Sequence, residues 1–304
     1  MGVEMVTVKL VGGLGNQLFG FFAGKFLEDT QPTKVRFDIS DQLNGLGAHN
    51  VSILDLKLDG DFGSYQDWAI KYLPFTILRR IVRKMLRVLR SMTKTDKYYQ
   101  STVVGHDNNL LEPQFNKKFI SGYFQSSYYF TTLRMKRPEI SAIGLRNPSA
   151  WFEEMSESVK VDNPIVVHIR RGDYLKFANS YGILSDEYFC EAIRVLREKE
   201  PEANKSPIWV FSDSIETIPA TMPKLVDLGA VLISPPHGTS DSEVLIVMSL
   251  AEKIVISNST YSWWGASLNT EKKIVIAPTK WYRNMEDPSG LIPKEWVTVT
   301  SLWD

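Results

Sequence analysis

The chain has 304 residues, of which 43% are hydrophobic and 23% charged, with 35 Lys and Arg against 35 Asp and Glu. This is the composition of a globular protein, and at about 150 residues per domain its length predicts two domains. Zero net charge argues against general nucleic-acid binding, which needs a basic excess. Cys190 is the single cysteine. An internal disulfide is therefore excluded, and no Cys and His spacing typical of a structural zinc site occurs.

The beginning of the sequence does not have the pattern of a signal peptide. MGVEMVTVKLVGG carries an acid in place of a basic region, and its apolar run is short and β-branched. No run of 18 apolar residues occurs, so no membrane span is predicted. Together with the single cysteine, these features predict a protein of a reducing compartment, the cytoplasm.

The N-terminal part opens as an α/β unit. Residues 6–11 predict a short strand, the glycine turn that follows leads into a helix with Leu18, Phe22 and Phe26 on one face, and residues 35–37 predict a second strand. Residues 40–115 give no clear pattern.

Strands and helices alternate in the second half. Strands are predicted at 165–169, 208–212, 231–234, 254–257 and 274–277. Between them come a helix capped by Ser185 and helices at 214–226, 242–251 and 261–269. Strands that are apolar on both faces indicate a parallel sheet covered by helices. The predicted fold class is α/β, with domains at 1–155 and 156–304.

Residues 71–97 form a basic segment with nine Lys and Arg and one acid, Asp96. Within it, residues 77–90 alternate apolar and basic positions at helical spacing, which predicts a basic amphipathic helix. Two interpretations stay open. The helix is either a surface helix with a solvated basic face or a peripheral contact with an anionic membrane or acceptor.

Two polar motifs follow predicted strands, where parallel sheets bind their ligands. HIRRGDY at 168–174 places two arginines at a strand end, and the planar guanidinium is suited to phosphate. The alternative is a structural ion pair between Arg171 and Asp173, with His168 as a core residue. SNSTYS at 257–262 combines a helix N-terminus with four hydroxyls, more than an ordinary N-cap requires.

Two weaker motifs lie in the first half. GGLGNQ at 12–17 lacks the third glycine of a dinucleotide fingerprint, because Leu18 stands there, but Asn16 and Gln17 are expected to face an interdomain cleft. Asp59-Gly60-Asp61 is the one D-x-D string. It lies away from the phosphate motifs, so a turn is predicted there and not a metal site.

Five segments occur in a fixed order: GGLGNQLF, GYFQSSYYF at 122–130, HIRRGDY, WVFSDS and SNSTYSWWGA. Together they resemble the bacterial α-1,2-fucosyltransferases of glycosyltransferase family 11, over most of the chain apart from residues 40–110. The resemblance implies a GT-B-like arrangement of two Rossmann-like domains. It also implies an inverting enzyme that moves L-fucose from GDP-β-L-fucose to the 2-hydroxyl of a galactose residue, with no metal and no cofactor besides the donor substrate.

The resemblance also implies residue roles. Arg170 binds the β-phosphate, 257–262 forms a second diphosphate cradle, and Asn16 lies near the acceptor and the reaction centre. Asp173, which adjoins the arginines, is a candidate catalytic base. The same arginines would make it a weak base, and its role would then be to orient Arg171. The further residues predicted to bind substrate are Gly13, Gly15, Gln17, His168, Arg171, Ser212, Asp213, Glu243, Ser257, Asn258, Ser259, Thr260, Tyr261 and Ser262.

One position departs from the family pattern. Family members carry an acid where this chain has Val244, and related enzymes use an acid there to hold guanine. Glu243 and Asp241 lie nearby. Two other classes stay open: a different nucleotide-sugar transferase, which would keep the phosphate cradle, and a non-catalytic glycan-binding protein, which would not bind GDP. The expected acceptor is a galactose-terminated glycan, lipid-linked if residues 77–90 contact the inner membrane surface.

Overall fold

The computed structural model describes residues 4–43, 51–65, 85, 98–112, 117–269 and 273–304. The basic helix predicted at 77–90 lies outside these residues apart from Met85. The chain forms two compact units, one of Met1–Leu54 with Leu58–Arg137 and one of Asp55–Lys57 with Pro138–Asp304.

The division between the units lies before the boundary expected at 155. The helix Ala150–Asp162 belongs to the second unit. Its N-terminus is held there because the backbone N–H of Ser149 donates to a carboxylate oxygen of Glu243 over 2.7 Å.

The first unit is built on a five-stranded parallel sheet in the order β3-β2-β1-β5-β4. Its strands are β1 Glu4–Lys9, β2 Thr33–Asp38, β3 Asp61–Gly63, β4 Tyr98–Gln100 and β5 Phe119–Ser121. Within the described residues its helices are α1 Leu14–Thr30, α2 Ser40–Leu43 and α3 Ser127–Lys136, with a 3-10 turn at Asn108–Leu111. The predicted opening of strand, helix and strand is confirmed.

The D-x-D string does not gather ligands. Asp59 and Gly60 lie in the loop before β3, and Asp61 begins that strand. The Asp61 carboxylate accepts a hydrogen bond from the Tyr65 hydroxyl over 2.5 Å. Nowhere in the described ranges do three His, Cys, Asp or Glu side chains come together as a metal site would require.

The second unit is built on a six-stranded sheet in the order β11-β10-β9-β6-β7-β8, again all parallel. Its strands are β6 Ile165–Ile169, β7 Ile208–Ser212, β8 Val231–Leu232, β9 Lys253–Val255, β10 Ile274–Pro278 and β11 Val297–Val299. Its helices are α4 Ala150–Asp162, α5 Ala178–Tyr181, α6 Asp186–Lys199, α7 Ile218–Thr221, α8 Pro223–Asp227, α9 Asp241–Ser249 and α10 Thr260–Ser267. The predicted α/β class with two parallel, Rossmann-like sheets is confirmed.

Three local predictions for this unit were wrong or incomplete. The continuous helix expected at 214–226 is a 3-10 turn followed by α7 and α8, because Pro219 and Pro223 lack the N–H that a continuing helix needs. The strand expected at 231–234 is paired only over Val231–Leu232. The edge strand β11 was not predicted, since three residues carry little periodic signal.

Helix α6 shows how the layers are held together. Tyr188, Phe189 and Leu196 on one of its faces are buried against the sheet. Ser185 stands at the N-cap position, but its side chain makes no capping hydrogen bond, contrary to the prediction. Its backbone N–H instead donates to the Leu302 carbonyl over 2.8 Å, which ties the start of α6 to the C-terminal segment.

Lys273 links the ends of two helices. Its Nζ donates to the carbonyls of Ser249, Gly265 and Leu268 at 2.5, 2.9 and 2.8 Å. The last carbonyls of a helix have no partner within the helix. The ammonium therefore satisfies acceptors at the C-terminal ends of both α9 and α10 and fixes the two helices to the start of β10.

Replacing Lys273 by Met should destabilise the second unit. The substitution keeps much of the apolar stem but leaves three carbonyls without their donor, which should cost about 2 to 3 kcal/mol and lower the melting temperature by about 5 to 10 °C. Lys280→Met, at an exposed position two residues after β10, is the control. Equal melting temperatures for the two variants would show that Lys273 does not carry this role.

Candidate functional site

The winding of the second sheet reverses between β6 and β9. If the six strands are numbered 1 to 6 along the chain, from β6 to β11, their spatial order across the sheet is 3-2-1-4-5-6. The first strand, β6, therefore pairs with the fourth, β9. In such a sheet the crevice for ligands lies beyond the carboxyl ends of the two strands at the reversal. Here the loop that begins with Arg170 follows β6, and the loop that carries Ser257 follows β9. The two strongest motifs of the sequence therefore meet at this crevice.

Arg170 is held by two carboxylates. Its Nη2 donates to Oδ1 of Asp173 over 2.6 Å, and Oδ2 of Asp213 lies 3.2 Å from its Nε. The Nε contact is an ion pair without the direction of a good hydrogen bond, although Nε itself is buried. The guanidinium also lies 5.5 Å from the centre of the Tyr174 ring.

These contacts leave one edge of the Arg170 guanidinium open. Nε and Nη2 form the edge that faces the two aspartates, while Nη1 has no hydrogen bond to any residue that the structure describes. Nη1 and the outer N–H of Nη2 together form a fork that can bind two oxygens of one phosphate. The Arg170 side chain is 23% exposed, so this fork can reach a ligand.

Arg171 has a structural environment. Its Nη1 donates to Oδ2 of Asp304 over 2.8 Å, and the residue is 8% exposed. The alternative interpretation, an ion pair between Arg171 and Asp173, is not observed, because the short 3-10 turn at Asp173–Phe177 returns Asp173 to Arg170. Of the two arginines, Arg170 is the one placed to contact a ligand.

Most of the hydroxyls after β9 bond within the protein. Ser257 Oγ lies 3.4 Å from His168 Nδ1 and 3.1 Å from Ser262 Oγ. Ser259 is the N-cap of α10 and accepts from the N–H of Tyr261. Thr260 begins the helix, and its hydroxyl has no partner among the described residues. The surplus of hydroxyls noted in the sequence is thus largely internal, and Thr260 is the one left for a ligand.

Asn258 fixes the loops around the crevice. Its buried amide nitrogen donates to the carbonyls of Tyr181, Gly182 and Trp281 at 3.0, 3.3 and 3.0 Å. The backbone carbonyl of Asn258 accepts from the Tyr174 hydroxyl over 3.1 Å. Tyr174 therefore connects the loop after β6 with the loop after β9, a role that the sequence analysis missed although the residue closes the HIRRGDY motif.

His168 is a buried member of β6. It is 3% exposed, and its ring lies 5.3 Å from that of Tyr261. Burial and the nearby Arg170 charge lower the pKa of His168 to about 3. The imidazole is therefore neutral at any physiological pH. His168 has the surroundings of a core residue, as the alternative interpretation proposed.

Three further predicted residues have internal partners. The Glu243 carboxylate completes a capping box with Ser240 and accepts from the N–H of Ser149. Ser212 Oγ accepts from the N–H of Ser214, and the Tyr261 hydroxyl donates to the Asp241 carbonyl over 2.6 Å. Their proposed contacts with the donor stay predictions.

The first unit has its own cluster after β1. Gly13 is the N-cap of α1, and Asn16 Oδ1 accepts from Gln125 Nε2 over 2.8 Å. Gln17 is buried and donates to the Gly12 carbonyl, and Gly15 is buried in the same turn. Gln125 lies in the loop after β5, within the family segment 122–130, and no local pattern in the sequence indicates its hydrogen bond to Asn16.

Known proteins match the chain over most of its length. The model of glycosyl transferase family 11 matches residues 72–300. An alpha-1,2-colitosyltransferase of Escherichia coli is 28% identical over 306 residues, which cover 98% of this chain and 99% of that protein. The O-antigen biosynthesis glycosyltransferase WbnK of Escherichia coli is 34% identical over 141 residues, 45% of each chain.

A solved structure shares the fold. The glycosyl transferase family 9 protein from Veillonella parvula DSM 2008 superimposes with a TM-score of 0.50 and 11% identity, over 100% of this chain and 89% of that one. At this identity the likeness concerns the fold alone. None of the helices in the described ranges is long and apolar enough to cross a membrane.

His168 should make the stability of the protein depend on pH. Its pKa of about 3 in the folded protein lies below the value of 6.5 for an unperturbed histidine. The folded chain then binds fewer protons than the unfolded chain between these values, so stability falls as the pH decreases through this window. From pH 7 to 4.5 the residue should cost about 2 to 3 kcal/mol. Urea unfolding of His168→Gln should show a smaller loss than wild type; parallel losses would contradict the assignment.

Proposed function

The chain belongs to glycosyltransferase family 11, and on that basis we propose that it transfers L-fucose from GDP-β-L-fucose to the 2-hydroxyl of a galactose residue. The new linkage is α-1,2, and the configuration at the sugar carbon inverts. One observation carries the proposal: the open fork of Arg170 lies at the reversal of the sheet, beside the N-terminus of α10. Both groups stabilise the charge of a diphosphate leaving group.

The proposed reaction is one displacement. The acceptor oxygen forms a bond to C1 of fucose while the bond between C1 and the β-phosphate oxygen breaks, and the electron pair leaves with GDP. Negative charge grows on the β-phosphate, where Nη1 and Nη2 of Arg170 bind it. Donors held in place before the reaction stabilise such charge more than water does. The Thr260 hydroxyl and the first N–H groups of α10 bind the second phosphate.

Asp173 is the proposed base. Its side chain is 48% exposed, and its carboxylate accepts from Nη2 of Arg170. A phosphate on the open fork neutralises much of the guanidinium charge, which weakens its hold on this exposed carboxylate and lets it accept the proton from the acceptor hydroxyl. Asn16, on the helix after β1, keeps the role near the acceptor that the family resemblance implies.

A second donor is supported by one relative. The Escherichia coli protein named alpha-1,2-colitosyltransferase matches nearly the whole chain. Colitose is L-fucose without its 3-hydroxyl, so the same diphosphate site serves both donors. The alternative proposal is therefore α-1,2 transfer of colitose from its GDP-sugar. The proposed chemistry at the diphosphate is the same for both donors, and membership of the family does not distinguish between them.

The acceptor and the location are proposed on the same grounds. One relative is named an O-antigen biosynthesis glycosyltransferase, which supports a galactose-terminated glycan of a surface polysaccharide, lipid-linked during its assembly. The basic segment at 77–90 would bring such an enzyme to the inner face of the cell membrane from the cytoplasm. No cofactor and no nucleic acid take part in this proposal.

Incubation with candidate donors and acceptors tests the function. The purified protein is given GDP-fucose, GDP-colitose or GDP-mannose with a panel of β-galactosides, and product and released GDP are measured with excess EDTA and without it. We expect transfer from a 6-deoxy donor at a rate that EDTA leaves unchanged. Transfer only from GDP-mannose, or activity that EDTA abolishes and manganese restores, would refute the proposal. GDP binding without transfer to any acceptor would favour a different acceptor class.

Arg170→Lys tests the diphosphate contact. Lysine keeps the charge but loses the fork, so kcat at saturating substrates should fall about a hundred- to a thousandfold, with little change in melting temperature. Arg194→Lys, at an exposed ion-paired arginine on α6, is the matched control. If Arg170→Lys stays within about threefold of wild type, Arg170 is not the contact that stabilises the leaving group.

A further inference from the structure

We propose that Asp213 is a positioning residue that sets the orientation of Arg170, and that Gly172 is a glycine because it lies against Asp213. The inference deepens the proposed function, since it concerns how the diphosphate-binding arginine is held. Asp213 was predicted from the sequence to contact the donor itself. Its contacts within the protein assign it a different role.

Asp213 connects the loops that follow two neighbouring strands. β6 and β7 pair in register from Ile165 with Ile208 to Ile169 with Ser212, so the loops after them begin side by side. Asp213 Oδ1 accepts from the backbone N–H of Arg171 over 2.9 Å. Its Oδ2 lies 3.2 Å from Nε of Arg170. One carboxylate thus holds the backbone of the arginine loop and the side chain of Arg170 together.

Gly172 makes this approach feasible. A Cβ at this position would lie 2.4 Å from Oδ2 of Asp213 and 3.0 Å from its Cγ. The first distance is far below any ordinary van der Waals contact. Any larger residue at 172 would push away the carboxylate oxygen that faces Arg170. The glycine of HIRRGDY is therefore explained by the room that Asp213 needs.

The two aspartates at Arg170 differ in how firmly they are held. The Asp173 side chain is 48% exposed, and its partner at Arg170 lies three residues away on the same loop. The Asp213 side chain is 22% exposed and is anchored by the Arg171 N–H as well. A phosphate on the open fork can therefore loosen Asp173 by neutralising the guanidinium, while Asp213 stays in place. The fixed carboxylate keeps the guanidinium in one orientation when the phosphate binds.

Loss of Asp213 should leave Arg170 without its anchor. Nε of Arg170 is buried without a well-directed hydrogen bond, and among the described residues Asp213 is the carboxylate within ion-pair distance of it. Without that ion pair the buried Nε–H would have no compensating contact, so the side chain would turn away. Asp213→Asn is the cleanest change, because its carbonyl oxygen can still accept from the Arg171 N–H while its amide places a second N–H against Nε.

A double-mutant cycle on GDP binding tests the inference. Calorimetry gives the Kd for GDP of Asp213→Asn and of Asp227→Asn, an exposed control, each in the wild-type and the Arg170→Ala backgrounds. We expect Asp213→Asn to raise the Kd about tenfold in the wild-type background and less than about twofold in the Arg170→Ala background, because its effect passes through Arg170. Equal losses in both backgrounds would show that Asp213 contacts GDP directly and would overturn the inference.

A second measurement needs no ligand. With arginine labelled by nitrogen-15, the Nε–H signal of Arg170, assigned by its absence in Arg170→Ala, should exchange slowly with water in wild type and in Asp227→Asn. Exchange should be at least about tenfold faster in Asp213→Asn and in Gly172→Ala, with melting temperatures unchanged. Unchanged exchange in both variants would refute the positioning role. Protection of this signal in a protein that binds no GDP would instead refute the proposed function and leave the positioning role intact.

Discussion

The reversal of winding between β6 and β9 is the constraint on which the site depends. Right-handed crossovers to either side of this point leave the carboxyl ends of the two strands uncovered. The polar groups in the loops after these two strands must therefore find their hydrogen-bond and ion-pair partners within the loops around the crevice. Arg170 and its carboxylates do so on one side, and the Ser257 and Asn258 network does so on the other. Tyr174 joins the two sides through its hydrogen bond to Asn258.

Charge balance distinguishes the two adjacent arginines. A guanidinium that loses water must gain a carboxylate, and Arg171 gains Asp304 at the C-terminal segment. Through this ion pair Arg171 holds Asp304 against the loop after β6. Arg170 is more exposed, and its partners lie on one edge of its guanidinium. The difference follows from alternation along the chain, because consecutive residues at a strand end point in opposite directions.

In the first unit, too, polar side chains pair where the winding of the sheet reverses, but here the side chains are neutral. Its sheet reverses between β1 and β5, and the loops after these strands meet in the hydrogen bond between Asn16 and Gln125. The buried Phe124, just before Gln125, adopts φ 52°, which a bulky side chain rarely does. Strain of this kind persists only where the surrounding structure imposes it. The position of Gln125 is thus built into the fold, as the position of Arg170 is in the second unit.

The sequence by itself determined the α/β class, the strands β6, β7, β9 and β10, and the two strand-end motifs, because each depends on local periodicity or on residue type. The family assignment came from the order of five short segments. Only the tertiary structure decided which hydroxyls have partners within the protein: Ser257, Ser259 and Ser262 do, whereas Thr260 has none among the described residues. It also gave Arg171 other partners than Asp173, since Asp213 and Asp304, which bond to its backbone N–H and its guanidinium, lie 42 and 133 residues away along the chain. Such distant pairings leave no local pattern, because they arise only when the sheet brings separate strand ends to one edge.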